Sequence, residues 1–178
     1  MHSPPPAAWL CLLLCLTGTA AVTDARRGVI PNWLTLPALA LFPLAQLAST
    51  GPGGLLDACL GVMTCGVVPL LLFRAGAMGG GDVKLFAAIG ALCGSNAGLE
   101  LQLISYALAA LFALCVLAYR GVLFATLLRA LALVCGPLLP ARLRAPALPE
   151  QGMQVRLGVA IFAAAVLLGG PAMLGAAP

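Results

Sequence analysis

The chain has 178 residues, 62% of them hydrophobic and 8% charged, against roughly 25% charged in an ordinary soluble domain. With a mean hydropathy of +1.11, that balance excludes a soluble globular protein and points to an integral membrane one. The formal net charge of +4 rests on arginines spread over several loops without interleaved aromatics, which read as topology signals and not as a nucleic-acid surface.

A membrane span takes about 20 apolar residues, so a chain of this length holds about six. The expectation is an all-α, polytopic membrane protein forming a single domain over residues 1–178, with no room for a soluble module. The seven cysteines, Cys11, Cys15, Cys59, Cys65, Cys93, Cys115 and Cys135, lie mostly in apolar runs and form no CxxC pair. They read as small hydrophobes, not as a disulfide framework or zinc site.

The first apolar run covers about Ala7 to Thr23 and is followed by Asp24, Arg26 and Arg27. Its leading "MHSPPP" carries no Lys or Arg, the reverse of a signal peptide, so a retained span with its amino end outside is expected. The second run, about Leu34 to Ser49, follows "IPNW". There Pro31 and Asn32 suit a loop-to-helix junction and Trp33 suits the interface. An uncharged turn, "TGPGG", ends it.

The third run, about Leu55 to Phe73, reaches Arg74 and then "GGGDVKL". The fourth, about Val83 to Leu92, is short and ends in "CGSNAG"; the fifth, about Leu99 to Tyr119, meets Arg120. Over Gly121 to Leu139 a span would bury Arg129 near its middle at a cost of several kcal/mol. An interfacial helix with Arg129 snorkelling to the headgroups is expected instead. Pro137, Pro140, Pro146 and Pro149 then break any long helix before the last run, about Leu157 to Leu174.

Six spans from an external amino end give cytoplasmic loops at about 24–33, 74–82 and 120–156. All nine Lys and Arg fall in those loops or at their edges, as the positive-inside rule requires.

Two of the three aspartates, Asp24 and Asp82, fall at the cytoplasmic ends of separate spans and so at one membrane face. Two carboxyl groups brought together share a proton: one activates a water while its neutral partner donates to a peptide carbonyl, which is aspartic-peptidase chemistry. Gly79 and Gly81 permit backbone conformations that let a substrate strand approach beside the acid. Asp82 sits where a helix starts, near Lys84, and is assigned the base; Asp24, at a helix carboxyl end, is the protonated partner of a pair that titrates as a unit. The same residues also read as a helix cap and a membrane anchor in an assembly subunit. A third reading is the ion relay of a small transporter or channel, although such acids tend to lie near the midplane within internal repeats.

"GGGDVKL" resembles the GxGD signature of the type IV prepilin peptidases, here Gly79, Gly81 and Asp82 followed by Lys84 and Leu85. "DARRGVIPNWLTLP", Asp24 to Pro37, is similar to the stretch around the other catalytic aspartate of that family. The resemblance covers roughly residues 10 to 119, and the size suits the short members of tight-adherence (Flp) pilus systems. It loosens at Arg156 and Leu157, where the family usually shows a proline and often an aromatic before the glycine.

The resemblance implies a membrane-embedded aspartic endopeptidase of the bacterial inner membrane, with Asp24 and Asp82 catalytic and no metal or organic cofactor. Its partners would be the lipid bilayer and a prepilin or pseudopilin precursor, cut at the cytoplasmic face after a glycine that precedes the hydrophobic stem. The "IPN" stretch after Asp24 favours prepilin processing over a presenilin-like protease. The loop from Asp24 to Trp33 has no cysteine, whereas larger members that also methylate carry a cysteine-rich segment, so cleavage without methylation is expected.

Cysteine labelling in a cysteine-free background checks the topology. Positions 26, 74, 120 and 142 should react only from the cytoplasmic side, and labelling of the 142 region from outside would remove the six-span arrangement.

Overall fold

The computed structural model describes residues 7–121, 124 and 157–174. They form five helices: α1 (Ala7–Arg27), α2 (Asn32–Thr50), α3 (Pro52–Arg74), α4 (Gly80–Tyr119) and α5 (Leu157–Leu174). The fold is all-α. Four of these helices, α1 to α4, are long and apolar enough to cross a membrane. The interfacial helix expected over 121–139, the arginines at 129, 142, 144 and 156, and His2 lie outside the described residues, Gly121 and Phe124 excepted.

The chain divides into two compact units, one of Met1–Leu108 with Arg156–Pro178 and one of Ala109–Val155. The described part of the second is the end of α4 and the turn after it, where Gly121 adopts φ 69°. The first unit holds the core, drawn from α1 (Leu13, Leu16, Ala20), α4 (Leu85, Phe86, Ile89, Leu92) and α5 (Ile161, Ala164, Ala165). Every residue from 85 to 92 is buried, so the short fourth run is sheathed on all sides, as a helix apolar all round should be. On α2 and α3 the exposed positions are themselves apolar, among them Leu41, Leu56, Leu60, Met63 and Leu71. Large apolar side chains face outward because lipid, not water, is the solvent there.

Expected turns are shorter in the structure. Helix α1 runs on through Asp24 to Arg27, which leaves residues 28–31 as the connection to α2. "TGPGG" contracts to Gly51, with Pro52 already at the start of α3, where its missing N–H costs nothing.

"CGSNAG" is no loop at all. It is a break within α4 at Gly94, whose φ of 77° and ψ of 179° are not helical. Only a residue without Cβ enters that region freely. The break strips partners from nearby backbone groups, which an apolar medium does not tolerate. Gln46 Nε2 of α2 donates to the Leu92 carbonyl at 2.8 Å. On the other side of the break, Asp57 Oδ1 of α3 accepts from Ser95 N at 3.2 Å and Ser95 Oγ at 2.9 Å. Asp57, near the start of its own span, caps the second arm of a neighbouring helix.

Helices α3 and α4 touch backbone to backbone at Gly61 and Gly90, where a Cβ on either would collide with the other's carbonyl. Small residues let helices approach this closely where dispersion, not water exclusion, drives association.

Asp57→Ala should lower the stability of the detergent-solubilised protein by about 1 kcal/mol, as loss of a helix cap does, read as a lower thermal midpoint. Asp57→Asn keeps an acceptor and should hold most of that stability.

Candidate active site

Asp24 lies in the last turn of α1, and Asp82 lies in the first turn of α4. Asp24 is buried, at 8% exposure, and Asp82 is half-buried. The two carboxyls are within Coulombic reach of each other, so the structure brings both sequence-predicted acids to one place from separate helices.

Asp24 is held by the glycine that follows Arg156 and Leu157, to which the sequence reading gave no role of its own. Gly158 N, at the start of α5, donates to Asp24 Oδ2 at 2.9 Å. This amide is one of the helix-start donors that have no partner within their own helix, and the buried carboxylate is one that needs a donor. A Cβ at Gly158 would come within 2.9 Å of Asp24 Cβ and 3.0 Å of Oδ2. The available signal was a glycine opening an apolar run.

Asp82 is placed by the glycines before it. Gly79 lies against its carboxyl, since a Cβ there would be 3.2 Å from Asp82 Oδ2. Gly81 abuts Ile30, since a Cβ there would meet Ile30 Cβ at 3.0 Å and the Ile30 carbonyl at 3.2 Å. Lys84 Nζ donates to Asn32 Oδ1 at 2.8 Å. Lys84 therefore sits on α4 and ties the glycine motif to the "IPN" stretch; it is not a loop residue.

The split of roles expected from helix ends does not carry over to this geometry. Asp24 ends one helix but also receives the first amide of another, and Asp82 starts a helix. Helix-terminus arguments thus favour the ionised form of both acids. Among the described residues, no three His, Cys, Asp or Glu side chains cluster as metal ligands.

The family model of the type IV leader peptidases matches residues 11–114, which contain both aspartates and both motifs. The chain belongs to the type IV leader peptidase family. It is also 34% identical over 94 residues to the prepilin peptidase EppA of Methanothermobacter thermautotrophicus (strain Delta H), an alignment covering 48% of this chain and 23% of that protein. The chain thus spans about a quarter of the length of that curated relative. No solved structure matches.

Gly158→Ala should push Asp24 out of place and lower peptidase turnover by ten-fold or more, since misplacement by about 1 Å can cost ~100-fold. Membrane insertion and the level of folded protein should be unchanged, which activity and size-exclusion profiles on one preparation would read.

Proposed function

We propose that the chain is a membrane-embedded aspartic endopeptidase that removes the basic leader of a prepilin or pseudopilin precursor at the cytoplasmic face of the inner membrane, with Asp24 and Asp82 as its catalytic pair. The observation that carries this reading is the convergence of Asp24 from the end of α1 and Asp82 from the start of α4 within Coulombic reach. Asp24 has a backbone donor of its own in Gly158, and Gly79 lies against the Asp82 carboxyl.

Two such carboxyls resist ionising together, and cleavage uses the state in which one of them holds a proton. The ionised member takes a proton from a water as its oxygen attacks the scissile carbonyl. The neutral member gives its proton to the carbonyl oxygen, and the tetrahedral adduct collapses when the leaving nitrogen is protonated and the C–N bond breaks. Gly79 keeps the approach to Asp82 low enough for an extended peptide, while Gly81 makes room for Ile30. Lys84, bonded to Asn32, holds the two motifs in register.

The precursor's chemistry fits the surroundings. A groove of about 530 Å³ opens between α1 and α5, lined by Leu14, Gly18, Val22, Phe162 and Val166 among others. Gly158, Phe162 and Val166 recur every four residues on one face of α5. The groove therefore runs toward the Asp24–Gly158 contact, and a hydrophobic precursor stem lying in it would bring its leader junction to the acids. Exposed Arg26, Arg27 and Arg74 at the same end support the cytoplasmic placement by the positive-inside rule.

Co-expression with candidate prepilins, followed by mapping of the new amino terminus, tests the function. Asp24→Asn and Asp82→Asn should each abolish cleavage while leaving insertion unchanged. The double variant should be no worse than either, because residues acting as one unit are far from additive. Asp57→Asn should retain most activity. An Asn variant at 24 or 82 that processes at a rate near wild type would remove the two-aspartate mechanism.

A further inference from the structure

Beyond the two aspartates, one polar cluster around the half-buried Tyr106 has a donor left over, beside a buried acceptor, Gln102 Oε1, that also lacks a partner. Gln102, on the second arm of α4, is buried. Its Nε2 donates to the Cys65 carbonyl of α3 at 3.2 Å and to the Tyr106 hydroxyl oxygen at 3.1 Å. A carbonyl can only accept, so the amide cannot be reversed, and the Tyr106 oxygen must be the acceptor of the second bond. The phenol hydrogen is then directed elsewhere. Among the described residues it has no acceptor at hydrogen-bond distance, the only bond of this hydroxyl being the one it accepts.

The neighbour of its ring leads toward Asp82. The Tyr106 ring packs against Phe86, with centroids 5.3 Å apart and planes inclined by 58°. Phe86 lies four residues after Asp82 on α4 and therefore on the same face, one turn along. Tyr106 itself lies within Coulombic reach of Asp82. Nothing in the leader-peptidase chemistry above uses it.

We infer that Tyr106 is a positioning residue for Asp82: Gln102 holds the phenol oxygen from one side, and the free O–H orients the Asp82 carboxyl when a precursor is bound. Hydrogen bonds of this kind are often long in the substrate-free state and tighten in the complex. A phenol donating to a carboxylate is a charge-assisted bond, stronger than a neutral one. The Cys65 carbonyl anchors the relay to α3, so the orientation of the phenol is fixed by a helix that carries neither aspartate.

The inference rests on the two-aspartate reading, and the test separates the two. On purified full-length protein with a synthetic precursor peptide, kcat, KM and thermal midpoint are measured for the wild type, Tyr106→Phe, Gln102→Ala, their double variant and Asp82→Asn. Tyr106→Phe keeps the ring against Phe86 and removes the O–H alone. Its kcat should fall about ten-fold, the size expected for one lost hydrogen bond in the transition state, with KM and midpoint unchanged. Gln102→Ala should also slow turnover, and the double variant should be no slower than Tyr106→Phe, because the two act as one unit. A Tyr106→Phe kcat equal to wild type overturns the role while Asp82→Asn is inactive. So does a fall in kcat that comes with a lowered midpoint, or a change confined to KM. Should Asp82→Asn cleave like the wild type, the two-aspartate reading falls and the positioning role falls with it.

Discussion

A carboxylate or a bare amide inside an apolar medium has to find a partner within the protein, because no water is there to supply one. The Gly158–Asp24 hydrogen bond meets that demand twice over. It satisfies a buried acid on the first helix and an otherwise unpartnered amide at the start of the last. Around it α1 and α5 pack through small residues, Ala20 on one side and Ala164 and Ala165 on the other, all fully buried. The polar bond fixes the register, and the small side chains allow the helices to close on it. Gly158 has to be a glycine for the same reason, since a Cβ would occupy the space that Asp24 fills.

The second constraint is the contact between the two sequence motifs. Gly81 rests on Ile30, and Lys84 reaches Asn32. Farther along the same two helices, Gln46 of α2 reaches the Leu92 carbonyl of α4. Helix α2 and the first arm of α4 are thus tied side by side at both ends, running in the same direction. The site lies at one end of this pair and the break at Gly94 lies at the other. A disturbance at Gly94 is therefore not local: it bears on the arm that carries Asp82.

Much of this was legible in the sequence. The apolar runs reappear as the five helices, with the fourth and fifth runs as the two arms of α4, because a span announces itself by composition alone. The two acids were legible for a similar reason: a charge at the edge of such a run stands out. What composition could not convey was pairing across helices. Asp57 looks like a cap for its own helix, and only the fold shows it serving Ser95. Gly158 and Tyr106 look like packing residues, and their roles exist only once α5 meets α1 and the second arm of α4 returns past the first. Turn lengths also escaped. "GSNAG" has the residues of a loop, yet neighbouring side chains satisfy the broken backbone so well that a single glycine is enough.

That economy at Gly94 has a consequence for the bilayer. The first arm of α4, residues 80–93, measures about 21 Å at ~1.5 Å per residue, whereas the hydrocarbon core is about 30 Å thick. An arm this short leaves close to a third of that thickness unspanned, and because residues 85–92 are sheathed by their neighbours its polar ends must sit in recesses of the surrounding helices. Recesses at those ends bring water nearer to Asp82, at the start of this arm, than the thickness of the surrounding hydrocarbon would otherwise allow.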